Sequence, residues 1–340
     1  MRVLVTGGTG FIGAHTVKAL LDAGHEVRLL VRNPERINRN VEPLGAMVDD
    51  YALGDMTDED ALRKALEGCD AAVHCAALVA LDRRHAKEVL ETNLRGAEVV
   101  LGSAVERGLD PIVHVSSTAA LFAPGLSVLH SDLPPADVRD AYGRSKAAAE
   151  SYARGLQEKG APITITYPGS VIGPPAGDAF GEVAGGLVQQ FKMGVFAVRD
   201  AAWSIIDVRD VAKIHATLVE PGLGPRRFMC GGHFLNMDGT AEIYREITGR
   251  RFPVFSAPSA TLRGLGRLMD AVARVAPIDT VFTAEGMTIY TKWFPTDDAR
   301  IRDELGIELR DPRESFADAL IGLYEAGRLS ARQVGRLAQT

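Results

Sequence analysis

Between an apolar run at Arg2–Val5 and an amphipathic stretch at Ile12–Ala23, the chain reads Gly7-Gly8-Thr9-Gly10-Phe11-Ile12-Gly13. A glycine-rich turn at the point where a strand gives way to a helix leaves this end of the molecule little freedom in how it can fold. The spacing Gly8-x-Gly10-x-x-Gly13, doubled by Gly7-x-x-Gly10-x-x-Gly13, removes side chains where the backbone must turn tightly and approach a ligand. A pyrophosphate can then lie at the positive end of a helix that begins near Phe11. Gly7, Gly10, Phe11, Ile12 and Gly13 are therefore expected to hold a dinucleotide.

The strand-then-helix alternation continues through the first half. Short apolar runs at Arg2–Val5, Val27–Val31, Ala46–Asp50, Ala71–Cys75, Ile112–Val115 and Ile163–Tyr167 are separated by amphipathic stretches that include Ile12–Ala23, Asp58–Leu66, Ala86–Arg107 and Tyr142–Gln157. This predicts an α/β fold, a doubly wound parallel sheet. Gly24, Gly68, Gly108 and Gly160 stand where helices should stop, and Thr57 with Asp60 offers an N-terminal cap. After Pro168 the chain breaks into Gly- and Pro-interrupted segments, followed by a strand-like Trp203–Val211, a helix near Asp210–Val219 and a helical tail from Pro312. The expected organisation is interleaved. Residues 1–170 with about 200–220 form the dinucleotide-binding domain, and about 171–199 with 221–335 form a smaller, mostly C-terminal substrate lobe.

Composition narrows the partners. A 340-residue chain with 46% apolar and 24% charged residues, net charge −6 and pI near 5.8 has no electrostatic footprint for nucleic acid. Cys69, Cys75 and Cys230 form no CxxC, so neither a disulfide framework nor a zinc site is expected, and a reducing cytoplasm is the expected setting. No apolar run reaches the roughly 18 residues of a membrane span, and the chain enters its first strand without a leader pattern. The expected partner is a small molecule.

In many dinucleotide sites an acid about 20 residues beyond the glycine turn accepts a hydrogen bond from the adenosine 2′-hydroxyl, whereas a nearby arginine accommodates a 2′-phosphate. Here the second strand ends in Val31, followed by Arg32 and, one helical turn later, Arg36. Valine cannot accept that hydrogen bond, while two guanidinium groups can clamp a phosphate. The expected cofactor is NADP(H).

The stretch Ala141-Tyr142-Gly143-Arg144-Ser145-Lys146 sets Tyr142 and Lys146 four residues apart on one face of a helix. An ammonium beside a phenol stabilises phenolate, so the tyrosine can pass protons near neutral pH. Upstream, Val113-His114-Val115-Ser116-Ser117-Thr118 runs a strand into hydroxyl residues at its carboxyl end, the ligand side of a parallel sheet. One of these hydroxyls can hold a carbonyl or alcohol beside Tyr142; the others cap.

Together the glycine turn, the Ser116-Ser117-Thr118 strand end and the Tyr142 to Lys146 motif resemble the extended short-chain dehydrogenase/reductase superfamily, which comprises NAD(P)-dependent sugar-nucleotide epimerases and dehydratases, 3β-hydroxysteroid dehydrogenases and dihydroflavonol-reductase-like enzymes. The resemblance spans essentially the whole chain, taking in Asn93, Tyr167-Pro168-Gly169-Ser170-Val171 and Asp207-Val208-Arg209-Asp210-Val211. It implies a Rossmann fold in which Asp55 and Met56 line the adenine, Ala76 and Ala77 the path to the nicotinamide, and Pro168 and Val171 the nicotinamide face. It also implies that Lys146 binds the nicotinamide ribose, that the catalytic hydroxyl is Ser117 or Thr118, with Ser117 preferred, and that the chain dimerises through the helices carrying Asn93 and Tyr142.

Three departures point away from sugar nucleotides. Val31 replaces the acid of NAD-using epimerases, Phe122 replaces a tyrosine often found after the serine strand, and Ser170 replaces the asparagine of an Asn-Val-Tyr-Gly run. The nearest likeness is to dihydroflavonol-reductase and carbonyl-reductase members. The expected reaction is NADP(H)-dependent reduction of a carbonyl, or oxidation of the matching alcohol, at Ser117 or Thr118, Tyr142 and Lys146. The alternatives are a sugar-nucleotide epimerase or dehydratase with transient hydride transfer, and a non-catalytic NADP-sensing protein.

Other residues carry plainer readings. His74 and His114 fit satisfied core histidines within strands, and His15 covers a helix face. Asp207 and Asp210 fit capping or ion pairing rather than a metal, for want of a third ligand. Phe191, Met193, Phe196 and Trp203 line either an apolar cleft or ordinary core, and Arg226-Arg227 either grip a pyrophosphate or end a solvated strand.

Overall fold

The computed structural model describes residues 1–79, 85–123, 126–137, 141–197, 201–273, 284, 287, 291 and 294–339, with the side chains of Phe196 and Ala197 outside that description. In the first half the elements are β1 (Arg2–Thr6), α1 (Phe11–Asp22), β2 (Glu26–Val31), α2 (Glu35–Asn40), β3 (Tyr51–Leu53), α3 (Glu59–Ala65), β4 (Ala71–His74), α4 (Ala86–Glu106), β5 (Ile112–Val115), α5 (Ala141–Gln157) and β6 (Ile163–Pro168). They continue with β7 (Ser170–Ile172), α6 (Ala184–Met193), β8 (Val195–Ala197), β9 (Ala202–Asp207), α7 (Val208–Thr217), β10 (Arg226–Cys230), β11 (His233–Asn236), α8 (Met237–Thr248), β12 (Val254–Ser256) and α9 (Ser259–Ala273). The helix Pro312–Glu325 follows as the tail.

Seven parallel strands in the order β10-β6-β5-β4-β1-β2-β3 make a Rossmann-like α/β sheet. Both of its faces are covered, which is why its strands read as apolar runs rather than alternating ones. Val3, Val5, Leu29, Val73, Val113 and Val115 face α1 and α7, while Leu4, Ala72, Ile112, Ile163 and Ile165 face α4 and α5. Each such valine, leucine or isoleucine contributes roughly 1.5–3 kcal/mol by leaving water. Gly24, Gly68, Gly108 and Gly160 all adopt positive φ, in keeping with their expected place at helix ends.

Three local expectations need correction. The third strand is Tyr51–Leu53, not Ala46–Asp50. Ala46 and Val48 are buried and Met47 and Asp49 exposed, so the stretch alternates as a strand would, yet pairing with β2 begins only where Leu29 N donates to Asp50 O. The cap of α3 is Asp58, whose carboxylate accepts from the N–H groups of Asp60 and Ala61, rather than Thr57. Residues 226–230 belong to the edge of the large sheet, not to a lobe starting at 221, while Ala202–Asp207 leaves that sheet for a smaller one.

The smaller sheet has the order β11-β9-β7, with β8 and β12 paired separately. Around them Trp203, Tyr244, Phe191, Phe252, Phe316 and Leu320 form a second apolar core. Phe191 and Trp203 are thus core rather than cleft, Met193 is exposed, and the Phe196 side chain lies outside the described residues. Arg226 and Arg227 lie at the amino end of β10, away from the ligand side, with Arg227 paired to Asp132 at 3.6 Å. Among the described residues no helix is long and apolar enough to cross a membrane.

Candidate active site

β1 delivers the chain to the place where strand order reverses, β2 and β3 lying on one side and β4, β5, β6 and β10 on the other. In open parallel sheets such a reversal, outside the carboxyl ends of the strands, is where ligands bind. Gly7 adopts φ +71°, and a Cβ on it would lie 2.6 Å from the backbone nitrogen of Ala76 beyond β4. The Gly10 amide donates to Gly7 O at 2.9 Å. A Cβ on Gly13 would run into that same carbonyl oxygen. Gly10 is the N-cap of α1 without a side-chain cap, and the first turn carries no acid, so the positive end of the helix remains open to an anion. The cradle fits a pyrophosphate because side-chain atoms are missing from it. Gly13→Ala is expected to weaken dinucleotide binding by about tenfold or more, since the clash is with backbone that cannot swing aside. Calorimetric titration against the wild type tests this, and unchanged affinity would refute it.

At the end of β2 Val31 is buried and Arg32 turns outward, its side chain 73% exposed, with Nη1 3.7 Å from Asp55 Oδ2. Asp55 is held in turn by Thr57, whose amide and hydroxyl donate to Oδ1 at 3.0 and 2.8 Å. Arg36 is exposed on the first turn of α2. Met56 is buried against Gly96 of α4, where a Cβ would lie 2.7 Å from its Sδ. Arg32 and Asp55 are therefore neighbours on the surface, with Arg36 close by in sequence, while Met56 forms the floor beneath them.

Towards the middle of the sheet, Ala76 and Ala77 are half-buried beyond β4, and Pro168 and Val171 are buried at the β6 end and on β7. β5 ends at Val115. The Ser116 amide donates to Thr166 O at 2.9 Å, and Ser117 is extended, its Oγ accepting from Ala119 N at 3.2 Å to cap the short turn Thr118–Leu121. Thr118 is buried in that turn.

α5 supplies the other half of the site. Its alanines at 147–149 and 153 favour helix and allow close approach to α4 and the sheet. Tyr142, Lys146 and Glu150 recur every four residues along one face. Lys146 is 6% exposed, its Nζ donating to Val115 O at 3.2 Å and lying 5.9 Å from the centre of the Tyr142 ring. Burial pulls the lysine down from its ordinary range, against the opposing carboxylates of Glu182 and Glu150. Behind it, Glu150 Oε1 accepts from Tyr167 Oη at 2.5 Å and Arg154 Nε at 2.6 Å, which fixes α5 to β6.

Two buried asparagines support the site through bridges that spacing does not show. Asn93 on α4 donates to Leu78 O at 2.9 Å and to Ser145 Oγ at 3.0 Å while accepting from Leu78 N at 2.7 Å, stapling the loop after β4 to the Tyr-Lys helix. Buried Asn40 donates to Thr9 O at 2.8 Å and accepts from Asp178 N at 3.0 Å, tying the glycine turn to the segment after β7. A buried asparagine has no periodic signature, so only the tertiary structure shows what it bridges.

The histidines differ from one another. His74 is satisfied, with Nδ1 2.7 Å from Thr6 Oγ1. His114 stacks on it at 5.4 Å, yet neither of its ring nitrogens has a partner among the described residues, which corrects its expected role as a satisfied core histidine. His15 lies on the buried face of α1, its Nε2 3.0 Å from Pro174 O. Asp207 caps α7 and pairs with Arg209 at 2.8 Å, and Asp210 pairs with Arg310 at 3.4 Å, as ion-pair residues should.

The sequence profile of the NAD dependent epimerase/dehydratase family matches residues 3–231. Sterol demethylase protein B of Methylococcus capsulatus is 28% identical over 334 residues, covering 97% of this chain and 100% of that protein. A putative dihydroflavonol 4-reductase of Synechocystis is 28% identical over 324 residues, covering 93% of this chain and 92% of the other. The crystal structure of UDP-glucose 4-epimerase from Bifidobacterium longum, in complex with NAD+ and UDP, superposes with TM-score 0.72 at 20% identity, covering 96% of this chain and 99% of that one. At that identity the likeness is one of fold.

Proposed function

The chain belongs to the NAD dependent epimerase/dehydratase family, and from that premise we propose that it is an NADP(H)-dependent oxidoreductase that reduces a carbonyl group or oxidises the matching alcohol. The observation that carries this reading is the buried Lys146 ammonium beneath the Tyr142 ring, next to the hydroxyls at the end of β5. When bound, the nicotinamide supplies or accepts a hydride at C4, its ring being neutral when reduced and cationic when oxidised.

The protein's own groups would do the rest. Gly7, Gly10, Phe11, Ile12 and Gly13 hold the pyrophosphate at the start of α1, and Arg32 with Arg36 takes the 2′-phosphate beside Asp55 and Met56. Ala76, Ala77, Pro168 and Val171 shape the passage to the reacting carbon. Ser117, or Thr118 beside it, donates a hydrogen bond to the substrate oxygen and fixes its position. Tyr142 gives its phenolic proton to that oxygen as negative charge develops there, and Lys146 stabilises the resulting phenolate and orients the cofactor. The substrate enters between the dinucleotide-binding domain and the smaller lobe, and a pair of chains associates through α4 and α5.

The full-length likeness to proteins named sterol demethylase protein B and putative dihydroflavonol 4-reductase supports an apolar carbonyl substrate over a sugar nucleotide. The test is consumption of NADPH or NADH with a panel of aldehydes, steroid ketones, flavonoid ketones and sugar nucleotides. NADPH oxidation by a ketone, with Arg32→Ala losing about tenfold to hundredfold in NADPH preference over NADH, is the expected result. Equal use of both cofactors, unaltered in Arg32→Ala, would refute the cofactor assignment. Turnover of a sugar nucleotide without net redox would replace the reductase reading by an epimerase one.

A further inference from the structure

Residues 174–181 run between β7 and α6, yet they lie against the dinucleotide-binding domain. Pro174 O is 3.0 Å from His15 Nε2 on α1. Gly177, at φ +55°, comes so close to α2 that a Cβ on it would overlap Arg39 O, and a Cβ on Gly181, at φ +72°, would lie 2.5 Å from the Phe11 ring. Ala176 and Ala179 exchange backbone hydrogen bonds at 2.9 Å, and Ala176 is fully buried in the core that holds Phe11, Ile37 and Val41. Further along, Phe180 packs at the second core beneath Arg328, whose Cζ is 4.0 Å from the ring centre. The segment is a strap between the two cores.

Asn40 joins that strap to the glycine turn. Its side chain is buried, with Nδ2 donating to Thr9 O at 2.8 Å and Oδ1 accepting from Asp178 N at 3.0 Å. A carbonyl on one side and an N–H on the other leave the amide a single orientation, and an aspartate of the same shape has the acceptor without the donor. The Thr9–Gly10 peptide is thereby held at both edges, since its N–H donates to Gly7 O at 2.9 Å. Turning that peptide over would break both bonds. The turn therefore enters α1 in one shape, presenting to an anion the first amides of the helix, which lack acceptors within it. We propose that Asn40 is a positioning residue that transmits occupation of the glycine turn to the strap. A bound dinucleotide fixes the Thr9–Gly10 peptide, Asn40 carries that order to Asp178, and the strap then holds the smaller lobe in place for substrate. The inference rests on the proposed function, which puts the pyrophosphate at this turn.

Hydrogen–deuterium exchange of wild type, Asn40→Leu and Asp178→Ala, with and without saturating NADPH, or NADH if that binds more tightly, reads this transmission without turnover. In the wild type the cofactor should slow exchange both in the glycine turn and in residues 174–181. Asn40→Leu is expected to bind the cofactor about tenfold more weakly by calorimetry. At saturation its turn should still be protected while its strap exchanges as it does without cofactor, a selective effect that a general loss of stability would not give. Asp178→Ala keeps the backbone donor and should match the wild type. Asn40→Asp, which keeps the bond from Asp178 N but loses the donor to Thr9 O, should show the same loss of transmission and serves if leucine prevents folding. Unchanged affinity in Asn40→Leu, strap protection that persists in the Asn40 variants, or its absence from the wild type overturns the assignment of Asn40. Wild-type protein that binds neither NADPH nor NADH overturns the functional reading, and this proposal with it.

Discussion

Tyr142→Phe is expected to lower kcat for carbonyl reduction by about 10²–10⁴-fold, the span that one positioned proton donor contributes, while leaving NADPH affinity within about twofold. The substitution removes one oxygen from a half-buried side chain and leaves the Lys146 to Val115 hydrogen bond untouched. Lys146→Met should behave differently, losing turnover and cofactor affinity together, because in the proposed mechanism the ammonium both supports the phenol and orients the cofactor. It should also leave Val115 O without its present donor. Steady-state turnover with the best substrate of the panel, set beside calorimetric cofactor titrations of the same preparations, separates the two. Tyr142→Phe protein that keeps most of its turnover would remove Tyr142 from the chemistry. Loss of turnover with a parallel loss of NADPH binding would instead make Tyr142 a residue of the cofactor site.

The glycine turn and the Tyr142 to Lys146 face were legible because backbone geometry imposes their spacing. A tight turn against a helix start requires glycine at positions 7 and 13, and a shared helical face requires the four-residue step from Tyr142 to Lys146, so both motifs stand in the sequence. The alternation of strands and helices gave the doubly wound sheet for the same reason. What stayed hidden depends on contacts between distant segments. Ala46–Asp50 carries a strand's alternation without a ladder partner until Asp50. The edge strand Arg226–Cys230 follows an irregular stretch that looked like lobe, and only its register with Thr164–Pro168 places it in the large sheet. Asn40 acts through partners 31 and 138 residues away in sequence, and nothing local marks it; Asn93 stands out through the family resemblance, but its bridge from Leu78 to Ser145 does not. His114 is the instructive failure. A histidine within a buried strand reads as satisfied on general grounds, yet its satisfaction depends on neighbours in β4 and α5 that local sequence does not specify.

That unsatisfied imidazole belongs to a larger liability, which should make the fold sensitive to acid. Four histidines are buried: His15, His74, His114 and His215. Burial is the chief cause in every case, taking His15 down to about 4, His74 and His215 to about 3, and His114 well below its ordinary value. An unfolded histidine titrates near pH 6.5, so below that pH the unfolded chain binds protons that the folded one refuses. Because these folded-state values are depressed, the stability they preserve is complete above pH 6.5 and is lost as pH falls towards 4 and 3. At pH 5 each group has forfeited roughly 2 kcal/mol, so the four together can remove about 8 kcal/mol from a total stability of the order of 5–15 kcal/mol. Asp210, Asp298 and Glu182, whose carboxyls burial pushes up, act in the opposite direction and soften the fall at its lower end. Tm followed from pH 8 to 4.5 should therefore hold level above pH 7 and drop steeply below 6.5. A level profile down to pH 5 would show that the histidines relax into water on protonation. His114→Leu identifies the cause: with two unpartnered nitrogens removed, the variant should match or exceed the wild type at pH 7 and surpass it increasingly as the pH is lowered. If His114→Leu instead destabilises the protein equally at every pH, the ring nitrogens have partners in solution and the stacked pair with His74 is a polar element the fold depends on.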